Sequence, residues 1–255
     1  MKRSFSALLV AAIGLASVGI FAWPLLLSTA SLEQATVAQT VFLILMPVLV
    51  AMVLVELAQG GLDTRTLAVL GVLIAINSVV RLLGAGTAGI ETVFFLILIG
   101  AYTFGPSFGY LLGAGSLLVS ALFSGGVGPW LPFQMMAAGL LGLLAGLLPK
   151  SKHGWLRLTI LAAAGILGSY LYGALMTLWN WPFLAGMGGS LGYLPGAGIG
   201  ENLMRFVGYE LVTGGLLWDT GRAITTVVLT LLTAPTLLPA LSRGARRAGV
   251  EVASS

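Results

Sequence analysis

The chain has 255 residues, of which 58% are hydrophobic and only 8% are charged, against about 25% charged in soluble domains, so an integral membrane protein is expected. It contains no cysteine, which excludes a disulfide framework, a thiolate metal site and a cysteine nucleophile. Its net charge of +4 comes from basic residues near helix ends, so it indicates membrane topology and does not predict a nucleic-acid partner.

Two apolar segments make up the N-terminal part of the chain, residues 1–62. The first follows Lys2 and Arg3, covers residues 4–27 and ends at the small residues 28–30, as in a signal peptide. Signal peptides usually have an apolar run of about 7 to 15 residues, and this run is long enough to span a bilayer. We therefore expect a retained transmembrane helix here, and a second one over residues 38–57.

Residues 63–255 are predicted to form a six-helix core. Spans are expected at 66–83, 91–104, 107–123, 131–148, 158–178 and 219–241, with an amphipathic helix at 201–216 after a glycine-rich outer loop. Lipid offers the backbone no hydrogen bonds, so these segments must be helices that satisfy their own N–H and C=O groups. Gly105 ends one helix and Pro106 begins the next, since proline is tolerated in a first turn. The predicted fold class is an all-α integral membrane protein with about eight spans.

The basic residues predict the orientation of these spans. Placing the N-terminus in the cytoplasm puts nine of the twelve lysine and arginine residues inside: Lys2, Arg3, Arg65, Lys150, Lys152, Arg157, Arg243, Arg246 and Arg247. Both termini are therefore expected on the cytoplasmic side of the plasma membrane. Three arginines and five tryptophans fall at the outer level instead: Arg81, Arg205, Arg222, Trp23, Trp130, Trp179, Trp181 and Trp218.

Charged residues within a span are costly, so those at the outer side are candidates for a binding site. Asp219 and Arg222 lie three residues apart on one helical face, and they either contact a ligand or only pair with each other. Arg81 and Glu91 flank an outer loop, and they either bridge it or contact a ligand. Asn77 shares the helical face of Arg81 and would line the same cavity.

Three further candidates lie near the outer loops. Trp130 and Gln134 follow the turn 125–128, where glycine permits close approach of a ligand to the backbone. A buried glutamine there either binds a ligand or bonds to a neighbouring helix. Trp179 and Trp181 are expected in an interfacial aromatic belt, which leaves Asn180 between them as the better pocket candidate.

The remaining charged and small residues give weaker signals. Glu201 and Arg205, four residues apart with the acid first, are expected to form a structural ion pair. Glu210 has no sequence neighbour of opposite sign, so it is either solvated or paired with a distant arginine. Gly71 and Ala75 form a step of small residues that allows another helix to approach closely.

Several sequence motifs resemble those of one family of membrane proteins. TFGPSFG (103–109), GGVGPW (125–130) leading into PFQMMAAG (132–139), and WDTGRA (218–223) resemble, in this order and spacing, the substrate-binding S components of energy-coupling factor (ECF) vitamin transporters. The resemblance covers about residues 66–241 and best fits the larger actinobacterial members with extra N-terminal helices. The motifs GVGPWLPFQM and WDTGRAIT resemble those of predicted cobalamin importers, with thiamine or its pyrimidine precursor as the alternative cargo.

The resemblance implies partners and roles for several residues. It implies that the chain binds a vitamin and associates with a transmembrane coupling subunit and two ATPase subunits, which hydrolyse ATP. It also implies that Asp219 and Arg222 face the vitamin, and that the helix carrying Gly71 and Ala75 docks on the coupling subunit. The family pattern has alanine at the position of Gly71.

Missing motifs narrow the function further. The sequence has no G-x-x-x-x-G-K-[ST], so ATP hydrolysis is expected on partner subunits, and no cofactor, metal or catalytic triad is predicted. Two other function classes remain open. One is an intramembrane enzyme that uses Glu91, Asp219 and Arg222 on a lipid substrate. The other is a non-catalytic assembly subunit whose polar groups only pair with one another.

Overall fold

The computed structural model describes residues 2–27, 32–59, 63–84, 89–184 and 189–250. Within these ranges the elements are α1 (Lys2–Phe21), α2 (Trp23–Leu26), α3 (Leu32–Gln59), α4 (Thr64–Gly84), α5 (Phe94–Phe104), α6 (Pro106–Ser124), α7 (Leu131–Gly146), α8 (Gly154–Leu178), α9 (Trp181–Leu184), α10 (Ile199–Thr213) and α11 (Gly215–Ala248). These ranges contain no strand, which confirms the all-α fold class. The small residues predicted at 28–30 and part of the predicted outer loop, 185–188, lie outside the described residues.

The transmembrane segments agree with the predicted spans. By length and composition, α4, α6, α8 and α11 could each cross a membrane. Shorter apolar stretches occur in the described chain at 11–21, 39–55, 94–104 and 131–146. These eight segments coincide with the eight predicted spans. The amphipathic α10 is not one of them.

Helix α5 forms the centre of the molecule. Its residues from Phe94 to Thr103 are all buried, and α6, α7, α8 and α11 pack around it. A helix that is apolar on every side must be enclosed by other helices or by lipid. At its end, Gly105 takes a φ of 96°, which permits the sharp turn into Pro106 and α6.

The closest helix contact joins α6 and α7 through glycines. A Cβ atom added to Gly142 would lie 2.0 Å from the carbonyl oxygen of Gly109, and one added to Gly146 would lie 2.4 Å from Pro106. The backbones therefore touch directly, as small residues allow in membranes. The predicted step at Gly71 and Ala75 plays no such part within the chain, since both residues are exposed and nothing lies within 4 Å of an added Gly71 Cβ.

The N-terminal helices are attached to the core. Helix α1 packs on α3 and α8, and α3 packs on α7 and α6. The Trp23 indole N–H donates to the carbonyl of Trp179 at 2.7 Å, and the Gln39 amide donates to Asn180 Oδ1 at 2.9 Å. The division of the chain at residues 62 and 63 stays a prediction, because both parts share these contacts.

Several predicted helix limits are wrong for local reasons. The first helix does not run to residue 27 but breaks at Ala22, because Pro24 has no N–H with which to continue it. The helix predicted from Glu91 begins at Phe94, after an irregular segment. The final helix begins earlier and ends later than predicted. It continues through Pro235 and Pro239, which transmembrane helices tolerate.

The predicted aromatic belt is wrong for Trp179 and Trp181, and Trp23 is buried beside them. The relative exposure of Trp23, Trp179 and Trp181 is 1%, 5% and 0%. The ring of Trp179 stacks on Phe133 with centroids 3.9 Å apart, and the Trp181 indole N–H donates to the carbonyl of Leu191 at 3.0 Å. These rings therefore pack inside the protein at one end of the helix bundle and not at its surface. Hydropathy and position along the chain do not reveal which side of a helix end meets lipid.

Candidate functional site

A buried ion cluster lies where the segment before α5 meets α8 and α11. Arg222 Nε donates to Glu91 Oε2, and Arg222 Nη1 donates to Asp219 Oδ1. Nη1 also donates to the backbone carbonyl of Ser169 on α8 at 3.4 Å. Asp219 and Arg222 are buried, and one guanidinium therefore balances two carboxylates.

Local structure explains how Glu91 reaches this cluster. Because α5 begins only at Phe94, Glu91 lies in an irregular segment, and the Thr92 hydroxyl ties that segment to α4 by donating to the carbonyl of Val80 at 2.6 Å. Of the two alternatives for Arg81 and Glu91, the bridge between them is not formed, since Glu91 pairs with an arginine 131 positions further along the chain.

Aromatic rings and a glycine complete the walls of the cluster. The Arg222 guanidinium carbon lies 5.1 Å from the ring centroid of Tyr172, and the Phe94 ring meets that ring edge to face at 4.9 Å. A cation above an aromatic face is favourable, more so away from water. On α8, a Cβ at Gly173 would lie 1.8 Å from Asp219 Oδ1, so only glycine leaves room for this carboxylate.

Asn77 and Arg81 form a polar ladder between α4 and α6. Asn77 Nδ2 donates to Ser116 Oγ at 3.0 Å, and one turn later Arg81 Nη1 donates to Ser120 Oγ at 3.2 Å. These bonds join the helices, as polar groups do in membranes. Asn77 Oδ1 and Arg81 Nε are buried and make no hydrogen bond in the described chain, so each keeps one free bonding position.

The other predicted residues lie apart from the ion cluster. Asn180 accepts a hydrogen bond from Gln39 and so contacts the N-terminal helices. Trp130 is exposed, and its ring covers Gly128. Gln134 is half-buried on α7. Within the described ranges, no hydrogen bond or ion pair joins these side chains to Arg222.

Helix α10 holds the preceding glycine-rich loop in place. The side chain of Asn202 accepts from the Leu194 N–H at 3.0 Å and donates to the Leu194 carbonyl at 3.1 Å. Arg205 donates to the carbonyl of Gly189 at 2.9 Å and forms the predicted ion pair with Glu201 at 3.1 Å. The predicted i,i+4 pair is therefore confirmed, and it belongs to a network that fixes loop and helix together.

Sequence alone could not have found several residues of the site. Tyr172, Gly173 and Ser169 carry no signal in an apolar helix, and only packing shows that they surround Arg222. The sequence did single out Glu210, because it has no neighbour of opposite charge. The structure shows that this side chain is buried rather than solvated. Among the described residues, no group of three or more acidic or histidine side chains could hold a metal ion.

Comparison with known proteins gives one match. The family model for the substrate-specific component of ECF transporters matches residues 65–234. No curated protein and no solved structure matches the chain. The matched range begins in α4 and ends within α11, so it contains the whole ion cluster and leaves out α1 and α3.

Proposed function

Because the chain belongs to the substrate-specific components of ECF transporters, we propose that it captures a vitamin at the outer face of the plasma membrane and delivers it to ATP-driven partner subunits. Membership in this family makes the chain a membrane-embedded substrate-binding subunit rather than an enzyme. The observation that carries the proposal is the family match across α4 to α11, the helices that surround the buried charges.

The proposed cargo is cobalamin, with thiamine or its pyrimidine precursor as the alternative. The motifs at residues 126–135 and 218–225 support cobalamin as the cargo, and so does the long glycine-rich outer loop. Mass spectrometry of ligand that purifies with the protein distinguishes these cargoes. A co-purified lipid in place of any vitamin would contradict the proposal.

The proposed binding residues centre on Glu91, Asp219 and Arg222. A buried arginine between two carboxylates provides hydrogen-bonding groups that a polar ligand can share. The free positions on Asn77 and Arg81 support a contact from the α4 side. Trp130, Gln134 and Asn180 are proposed as contacts only when the loops rearrange around ligand, since they are not joined to the cluster.

The proposed docking face for the coupling subunit is the exposed side of α4 around Gly71 and Ala75. Large apolar side chains flank this step on the same exposed surface, including Val72 and Ile76. No described atom lies within 4 Å of an added Gly71 Cβ, so a partner helix can approach the backbone there.

Coexpression with a coupling subunit and two ATPase subunits tests this assignment. The wild-type chain is expected to purify as a four-subunit complex. Gly71→Leu should abolish the complex while the isolated chain stays folded, because the leucine blocks close helix approach without meeting any described atom. The matched control is Ala163→Leu, at an exposed position of α8, and it should leave the complex intact. Equal complex yields from both variants would contradict the docking face.

The proposed orientation places both termini in the cytoplasm and α10 outside. Single cysteines introduced into this cysteine-free chain test it. Cysteine at the exposed Ser190 should react with an impermeant thiol reagent added to intact cells, and cysteine at the exposed Lys152 should not. The reverse labelling would overturn the orientation.

A further inference from the structure

Glu210 is the one acidic residue of α10 that faces the interior of the molecule. Its relative exposure is 5%, and both carboxylate oxygens are buried with no hydrogen-bond partner among the described residues. The Thr177 hydroxyl on α8 faces the carboxyl group without completing a well-formed bond, and burial raises the pKa of Glu210 above its ordinary value. A buried carboxylate without a partner is costly, so its position calls for a functional explanation.

The position of Glu210 is fixed by its surroundings. Asn202 ties α10 to the outer loop, and the Phe206 ring packs edge to face on Trp181 at 5.5 Å. Beneath the carboxyl group, a Cβ on Gly215 would lie 1.9 Å from Glu210 Oε2. The fold therefore leaves space for this carboxylate and holds it there.

Arg222 forms no ion pair or hydrogen bond with Glu210 among the described residues. Arg222 is close enough to act on Glu210 electrostatically, but its Nε and Nη1 already donate to Glu91 and Asp219. Arg81 donates to the hydroxyl of Ser120 on α6. When ionised, this group of side chains has three negative charges and two positive ones, so it lacks one positive charge.

We propose that Glu210 recognises a positively charged nitrogen group of the transported ligand. This inference rests on the proposed function of the chain as a substrate-binding subunit. A monocationic ligand would supply the missing positive charge, and its N–H groups or ring charge would replace the water that the carboxylate has lost. Charge-assisted contacts of this kind are about twice as strong as neutral ones.

This charge requirement separates the two candidate cargoes. Thiamine carries a permanent positive charge on its thiazolium ring, whereas cyanocobalamin has no net charge. A site completed by Glu210 therefore favours the alternative cargo, thiamine, or another small cation, in contrast to the sequence motifs that support cobalamin. The inference thus narrows the ligand class without depending on which partner subunits drive transport.

Titration calorimetry on the purified full chain tests the inference with thiamine and cyanocobalamin as probes. Glu210→Gln removes the charge and keeps the size. It should weaken thiamine binding by about ten- to a hundredfold. The matched control is Glu201→Gln, on the same helix but exposed, and it should change thiamine affinity less than about twofold.

The unfolding temperature without ligand provides a second test. A ligand-binding role and a structural role of Glu210 predict opposite changes of this temperature in Glu210→Gln. If Glu210 serves to bind a ligand, its charge is unpaired in the ligand-free protein. Glu210→Gln should then raise the unfolding temperature, because this substitution removes an unpaired buried charge. Failure of this variant to fold, or a lower unfolding temperature, would show that the carboxylate is structural and would overturn the inference.

The outcomes also separate this inference from the proposed function. Equal thiamine binding by wild type and Glu210→Gln overturns the inference and leaves the proposed function standing. Binding of cyanocobalamin but not thiamine by the wild-type chain likewise overturns the inference and leaves the proposed function standing. Binding of neither vitamin overturns both. A selective loss of thiamine binding in Glu210→Gln, with Glu201→Gln unchanged, supports both.

Discussion

Two helix interfaces of this protein depend on glycine, and they use it for different purposes. Between α6 and α7, Gly109 and Gly142 bring two backbones into contact with no side chain between them. Between α8 and α11, Gly173 leaves room for the carboxylate of Asp219. The first interface gains close packing, whereas the second accommodates a buried charge.

The difference shows how to interpret glycine in a membrane protein. Helix association in lipid depends on packing and hydrogen bonds, because lipid tails are as apolar as the side chains they replace. Backbone contact is therefore a means of assembly. A glycine beneath a buried carboxylate instead marks a place where a charge is kept despite its cost, which is typical of functional residues.

The largest expected effect comes from adding a methyl group to the backbone interface. Gly142→Ala places a Cβ 2.0 Å from the carbonyl of Gly109, and no flexible side chain can move aside. We expect a loss of about 3 kcal/mol or more in unfolding free energy, measured by thermal unfolding and by the yield of monodisperse protein. Gly71→Ala is the control, and it should stay within about 1 kcal/mol of wild type. Equal stability of the two variants would refute the backbone contact.

An effect of similar size comes from removing the cation of the charged interface. Arg222→Ala leaves the carboxylates of Glu91 and Asp219 buried and unpaired, so a loss of about 3 to 5 kcal/mol is expected in thermal or chemical unfolding. The triple variant Glu91→Gln, Asp219→Asn, Arg222→Gln should recover most of that stability.

Ligand affinity in the triple variant then distinguishes binding from structure. If the cluster contacts ligand, affinity should fall at least about tenfold while the protein remains folded. Normal affinity in the folded triple variant would limit the cluster to a structural role.

A smaller effect should follow from closing the space beneath Asp219. Gly173→Ala meets a side chain rather than a backbone, so part of the clash can relax when the carboxylate moves. We expect a loss of about 1 to 3 kcal/mol together with weaker ligand binding. Gly154→Ala, on the same helix and with nothing within 4 Å, should change neither. Unchanged binding in a destabilised Gly173→Ala variant would contradict the link between this glycine and the site.

The smallest effect concerns Lys150, in the loop between α7 and α8. Lys150 donates to the carbonyl of Tyr102 at 2.6 Å, and burial lowers its pKa from 10.5 to about 8. Between these two values the unfolded chain binds more protons than the folded one, so unfolding free energy should rise with pH across that window. Solvent screening of this half-buried group limits the rise to about 1 kcal/mol.

Thermal unfolding of Lys150→Met between pH 7.5 and about 10.5 provides the test. The variant should lose the pH-dependent rise that the wild-type chain shows over this window. A rise of equal size in both proteins would assign the pH dependence to another group.

Local chemistry made much of the fold predictable. The apolar segments predicted the eight spans, the sequence Gly105-Pro106 predicted the turn between α5 and α6, and spacing placed Asp219 and Arg222 on one face. Each of these depends on residues within about one helical turn of each other or on the composition of one segment. Helix limits were less predictable because a proline can either end a helix, as at Pro24, or be tolerated within one.

The sequence by itself therefore determined the class of protein, its spans and the pair at the start of α11. Tertiary structure alone decided that Glu91 shares Arg222, that Gly109 faces Gly142, and that Glu210 is enclosed with no hydrogen-bond partner among the described residues. These facts depend on which segments and helix faces that are distant in sequence meet in the fold. Apolar helix surfaces in lipid resemble one another, so the choice of partner face is made by shape and by a few polar groups once all the helices are assembled.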